Sequence, residues 1–161
     1  MKYKELPFTW MTPALQTGNK TVTRRNWHSH EQNIYKKDDI VVAMDKKRNE
    51  GGNDIALIKI MESRLEYPQN VPESDYVAEG FEYLDLHPEM LQERNSDFAL
   101  WQTWEQYRKS YSPMFLLRFS VLHIFYCEWL ERAAIFEFES GMKRTEAEAL
   151  AYTITHIIDK N

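Results

Sequence analysis

Gly18-Asn19-Lys20-Thr21-Val22-Thr23-Arg24-Arg25 is the stretch on which the reading of this chain turns. Its last six residues hold three cations and two hydroxyls. Before it lies a short helix-like segment, Thr12 to Thr17, that ends at Gly18. Thr12 suits an N-cap, because its hydroxyl can accept from orphan backbone N–H groups, and Pro13 suits the first helical position. Gly18 supplies the left-handed residue that stops the helix. Thr21, Val22 and Thr23 are β-branched, so the chain should leave as a strand. Strand alternation places Lys20, Val22 and Arg24 on one face, and Thr21, Thr23 and Arg25 on the other. Such a segment can build an anion-binding or catalytic wall. The same spacing also describes the solvated face of a β-barrel, and spacing alone leaves both readings open.

Outward from this stretch, Asp39 to Asp45 reads as a buried strand and Asp54 to Met61 as a second. Gly51-Gly52 between them predicts a hairpin. Pro68 and Pro72 break the pattern, and a short helix follows from Tyr76 to Tyr83. A further helical stretch is expected over Glu89 to Glu93, and Ser96 can cap a longer helix whose aromatic stripe is Phe98, Trp101, Trp104 and Tyr107. A stripe of this kind is core packing far more often than a ligand site. Met114 to Leu122 is nearly all apolar and reads as a central strand. Cys127 to Phe138 looks helical, and Gly141 stops it. Thr145-Glu146-Ala147-Glu148 has the form of a capping box, followed by a face of Ala147, Leu150, Ala151, Ile154 and Ile158. Strands without regular intervening helices favour a mixed or mostly antiparallel sheet, so the expected class is α+β: a small barrel flanked by short helices, with a C-terminal helical hairpin. Residues 1–123 form the expected domain and residues 124–161 a helical extension.

The chain has 161 residues, enough for one ordinary domain, and 43% hydrophobic residues, enough for a core. A single cysteine, Cys127, excludes an intrachain disulfide framework and a cysteine-based zinc site. No apolar run approaches the about 20 residues of a membrane span, and no signal-peptide stretch opens the chain, so a cytoplasmic protein is expected. The net charge of −5 hides an asymmetry: residues 1–60 hold 11 Lys and Arg against 7 Asp and Glu, and residues 61–161 hold 9 against 18. That balance argues against broad duplex binding, which needs a basic domain, but permits a small basic pocket.

The eight-residue stretch resembles the G-x-K-T-x-T-x-R signature of ASCH domains, which are related in fold to PUA domains. Lys37-Asp38-Asp39-Ile40-Val41 resembles the family's K-G-D-x-V turn and strand, with Asp38 where glycine is common, and Glu79-Gly80-Phe81 resembles its acidic E-G-F helix. The resemblance covers roughly residues 6–122 and is closest to ASCH proteins of bacteriophage and prophage type. It implies a PUA-like, partly open barrel that binds RNA or a nucleoside beside the signature. One subgroup removes the acetyl group from N4-acetylcytidine, which assigns Lys20, Thr23 and Glu79 here as catalytic residues; Thr21, Arg24, Arg25 and Trp27, in or beside the signature, are the expected ligand-binding residues. It implies neither a cofactor nor a metal. Another member of the family is a ribonuclease.

Amide hydrolysis fits these residue types. A threonine hydroxyl needs a base to take its proton, and lysine serves only when burial or nearby positive charge depresses its pKa. Arg24 and Arg25 supply that charge, while an ionised Glu79 opposes it. Arg25 suits an oxyanion or a phosphate through its planar fork. His28-Ser29-His30-Glu31 offers two imidazoles in a polar loop, short of the three or four ligands of a zinc site. Trp10 and Trp27 can stack on a base or pack in the core. The competing expectation is a noncatalytic mobile-element protein that binds a host or replication protein, or itself, through residues 124–158, and a further alternative is a ribonuclease.

Overall fold

The computed structural model describes residues 3–27, 34–88, 104–109, 112–125 and 127–155. The predicted helical stretch 89–93, the start of the aromatic stripe, the His28–Glu31 motif and Ile158 lie outside them. Five strands form one mixed sheet: β1 (Lys4–Pro7), β2 (Val22–Arg25), β3 (Ile40–Met44), β4 (Asp54–Glu66) and β5 (Met114–Ile124). Their order is β1-β3-β4-β5-β2; β1 runs parallel to β3 and every other pair is antiparallel. The fold is α+β, and the sheet curls as a half-barrel. The curl brings its two edges within reach of each other, since Arg25 Nη2 on β2 donates to the Pro7 carbonyl on β1.

The expected β3–β4 hairpin is present, and Gly52 has a steric reason: a Cβ there would lie 2.1 Å from the Lys46 carbonyl oxygen. β4 continues five residues past its expected end at Met61. A register shift between Ile60 and Glu62 in its pairing with β5 marks an irregularity at Met61. Beyond it, Glu62-Ser63-Arg64-Leu65-Glu66 keeps pairing with β5 although it is mostly polar. The inner face of the sheet is apolar where it should be: Leu6, Val41, Ile58, Ile60 and Leu117 are fully buried, each stabilising the fold by about 1.5–3 kcal/mol.

Helix α1 (Thr12–Gln16) follows a 3-10 turn. Thr12 is not its cap. The capping position falls to Met11, without a side-chain bond, and the Thr12 hydroxyl is buried without a partner. Gly18 does take the left-handed conformation, at φ 80°. The expected helix 76–83 is two helices, α2 (Asp75–Ala78) and α3 (Phe81–Leu86), broken at Gly80 with φ 91°. α4 (Trp104–Arg108) carries the described end of the aromatic stripe. Trp104 and Tyr107 pack on Phe81 with ring centroids 5.4 and 5.2 Å away, as core reasoning anticipates.

The C-terminal hairpin is α5 (Glu128–Ser140) and α6 (Arg144–Thr153), joined through Gly141 at φ 65°. Ala133, Ala147 and Ala151, all fully buried, let the two helices approach closely. Trp129 and Tyr152 seat the pair against Met11, Ala14, Tyr83 and Leu84. The capping box does not form: Lys143 is the cap residue, and Glu148 instead accepts from Arg144 Nε at 2.6 Å. Leu150, expected on the buried face, is 37% exposed. Among the described residues no helix is long and apolar enough to cross a membrane.

Candidate functional site

Two backbone devices place Lys20. Beyond Gly18 the chain turns back on α1, so that the Asn19 and Lys20 N–H groups both donate to the Ala14 carbonyl. One residue on, the Thr21 N–H donates to the Ala78 carbonyl at the end of α2. Lys20 is thus held between α1 and the α2–α3 junction, where Glu79 sits. Gly80 permits this approach: its Cβ would lie 3.0 Å from Ala14 Cβ and 3.7 Å from Lys20 Cβ.

Lys20 is 2% exposed. Its Nζ donates to the Glu79 carbonyl oxygen at 2.7 Å and to Glu79 Oε2 at 2.8 Å. Those two bonds use two of the three positions on the nitrogen, and among the described residues nothing occupies the third. Burial drives the lysine below its ordinary pKa; Glu79 pulls it up, and Arg25 and Arg24 add to the depression. The opposition foreseen between Glu79 and the arginines is therefore decided by desolvation. Each unit of depression raises the neutral-amine population at pH 7 about tenfold.

Glu79 is held from the other side as well. Its Oε1 accepts from Arg24 Nη1 at 2.9 Å and from the Tyr107 hydroxyl at 2.8 Å. Arg24 also donates to two more buried carboxylates, Nε to Glu66 at 2.6 Å and Nη2 to Asp75. Burial disfavours its charge, but Tyr107, Glu79, Asp75 and Glu66 outweigh that and raise its pKa. Asp75 also accepts two bonds from Arg118, both at 2.9 Å, and Glu66 accepts one from Arg64 at 2.7 Å. Burial, then the Glu79 charge, keeps the Tyr107 phenol well above its ordinary pKa, so it stays protonated.

These groups wall a cavity of about 240 Å³ lined by Lys20, Thr23, Arg24, Arg25, Asn26 and Glu79 on its polar side and by Phe8, Met11, Phe81, Tyr107 and Met114 on the other. The volume lies below the roughly 300–1,000 Å³ of pockets for drug-sized ligands, which suits a small planar group or the end of a larger molecule. Thr23 is buried on this wall, and its hydroxyl makes no hydrogen bond among the described residues. Arg25 packs over the Phe8 ring, 5.7 Å from its centroid. Burial lowers its pKa, but a guanidinium remains charged. Its Nε is buried without a partner, and no carboxylate pairs with it among the described residues.

Five of the seven residues singled out in sequence, Lys20, Thr23, Arg24, Arg25 and Glu79, line this cavity. Thr21 and Trp27 do not. Thr21 serves through its backbone, and Trp27 stacks on Tyr35 at 5.2 Å and leans on Phe115. Glu66, Asp75, Tyr107 and Arg118 were missed. Two had signals: Arg118 is the only Lys, Arg, Asp or Glu in a mostly apolar strand, and Glu62, Arg64 and Glu66 alternate at the strand period. No group of three or more metal-ligating side chains occurs among the described residues.

No family model and no curated protein matches the chain. Among solved structures it is similar to protein EF3133 from Enterococcus faecalis V583, a DUF984 protein. The two are 17% identical over 79% of this chain and 84% of that one, with a TM-score of 0.50. At that identity the likeness is one of fold.

Proposed function

We propose that the chain is a PUA-like ASCH-domain protein that binds a modified nucleoside in this cavity and hydrolyses an amide of the N4-acylcytidine type. The observation that carries the reading is the state of Lys20: a buried amine whose two bonds go to Glu79, on the same cavity wall as the Thr23 hydroxyl, with neither the third position on the amine nor that hydroxyl engaged among the described residues. The neutral amine takes the Thr23 proton as the hydroxyl oxygen attacks the acyl carbon. Arg25 stabilises the negative charge on the former carbonyl oxygen. The C–N bond then breaks, and Lys20 returns its proton to the departing amino group. Water hydrolyses the threonine ester, releasing the carboxylic acid and regenerating Thr23. Glu79, occupied by three donors, orients Lys20 rather than moving the proton itself.

The test is purified protein with N4-acetylcytidine, followed by chromatography for cytidine and acetate. Turnover by the wild type, with a loss of at least about 100-fold in Lys20→Ala and in Thr23→Val, is the expected result. No turnover at high protein concentration, or turnover that survives Lys20→Ala, would sink the catalytic reading. Lys20-dependent binding of the nucleoside or of a short single-stranded RNA without conversion would leave a recognition domain.

A second reading, a protein that engages a partner through its helical hairpin, draws on one observation. On α5, Phe138 is 91% exposed and Ile135, one turn away, is 46% exposed. Substituting both with serine should abolish such binding while leaving the cavity unchanged.

A further inference from the structure

Glu79 Oε1 receives two donors that act in different ways. Arg24 donates to three carboxylates, touches the Tyr107 hydroxyl as well, and belongs to the framework. Tyr107 comes from a separate helix, lines the cavity, and brings its hydroxyl to the same oxygen at 2.8 Å. Its ring is independently fixed, 5.2 Å from Phe81 and 5.6 Å from Trp104, so the hydroxyl position does not depend on the bond it makes. A carboxylate held at Oε1 from two directions has one orientation in which Oε2 still meets Lys20 Nζ. We propose that Tyr107 is a positioning residue of this site: it holds Glu79 so that Oε2 stays on Lys20, and by sharing the Glu79 charge it limits how strongly that carboxylate retains the lysine proton. This deepens the amidohydrolase reading, in which Lys20 is the base, but its first test does not need turnover.

Tyr107→Phe keeps the ring and deletes the hydroxyl. Titration of the Lys20 side-chain nitrogen by 15N NMR, assigned with Lys20→Met, gives the readout in wild type and variant. Without the phenol, the Glu79 charge falls more fully on Lys20, and the lysine titration should move up by about one pH unit, the equivalent of one lost charge-assisted hydrogen bond. Tyr83→Phe, which removes a buried phenol outside the site, should leave the titration in place. With N4-acetylcytidine as probe, Tyr107→Phe should lower kcat about tenfold at pH 7 with KM little changed, and shift the rising limb of the pH–rate profile upward by the same one unit. An unmoved Lys20 titration, or a shift equally large in Tyr83→Phe, overturns the proposal and makes Tyr107 a packing residue. A moved titration in a wild type that does not turn the probe over supports the positioning role and removes the amidohydrolase reading instead.

Discussion

Arg24→Met is the sharpest test of how this site is built. Methionine replaces the aliphatic stem but none of the donors. The guanidinium sits against Glu66, Asp75 and Glu79, and all four side chains are 0–5% exposed. Breaking a buried pair by removing one partner typically costs about 3–5 kcal/mol. Each stranded carboxylate here keeps another partner: Asp75 keeps Arg118, Glu66 keeps Arg64, and Glu79 keeps Lys20 and Tyr107. That places the cost near the lower end, about 3 kcal/mol. For a chain of this size about 1 kcal/mol shifts Tm by roughly 2–4 °C, so thermal unfolding followed by circular dichroism should show a fall of about 6–12 °C at pH 7. Arg48→Met is the control. Arg48 also contacts two carboxylates, Glu5 and Asp54, but its side chain is 50% exposed, and solvent screening should leave Tm almost unchanged. A fall under about 3 °C in Arg24→Met, or an equal fall in Arg48→Met, would refute the reasoning.

Three further outcomes are expected. Gly80→Ala forces a side chain into φ 91° and sets its Cβ 2.7 Å from Met11 Cε and 3.0 Å from Ala14 Cβ; urea unfolding should show a loss of about 3 kcal/mol, and Lys20-dependent binding should weaken with it. Ala147→Leu overpacks the contact where Ala133, Ala147 and Ala151 are fully buried, and should cost about 1–3 kcal/mol by the same assay. Burial pushes the Glu148 pKa up, but His87 and then Arg144 outweigh it and hold it below the ordinary glutamate value. Its folded value being the lower one, the stability difference between wild type and Glu148→Gln should be full above about pH 4.3 and vanish as pH falls through the folded value; melts at pH 7, 4 and 3 read this directly.

Much of the fold was legible because the signals were local. β-branched runs bounded by turns marked β2, β3 and the first half of β4; Gly18 adopts the left-handed conformation its position suggested, and Gly51 and Gly141, read as a turn and a helix stop, adopt it too. The failures had a common cause in tertiary competition. Gly80 breaks one expected helix into two because the chain must pass close to α1 there. The polar half of β4 is a strand because β5 pairs with it and because Arg24 and Arg64 satisfy Glu66, not because of its composition. The capping box at Thr145 lost to an ion pair, since Glu148 is drawn to Arg144 and His87.

The site divides in the same way. Arg24 and Arg25 are adjacent and chemically alike, and nothing within the signature distinguishes them. Strand alternation sends them to opposite sides of β2. On one side lie β4 and α2, with Glu66 and Asp75 lying 42 and 51 residues away in sequence, and Arg24 becomes the centre of a buried ion network. On the other lies the edge of β1, with the Pro7 carbonyl and the Phe8 ring, and Arg25 forms no ion pair with a carboxylate among the described residues, although it feels the Glu79 charge. The signature therefore specifies which residue types reach the cavity, while the long-range partners decide which arginine is locked to carboxylates and which is not. The same logic separates Lys20 from an ordinary buried lysine: Glu79 holds it in place, while desolvation lowers its pKa against the pull of that carboxylate.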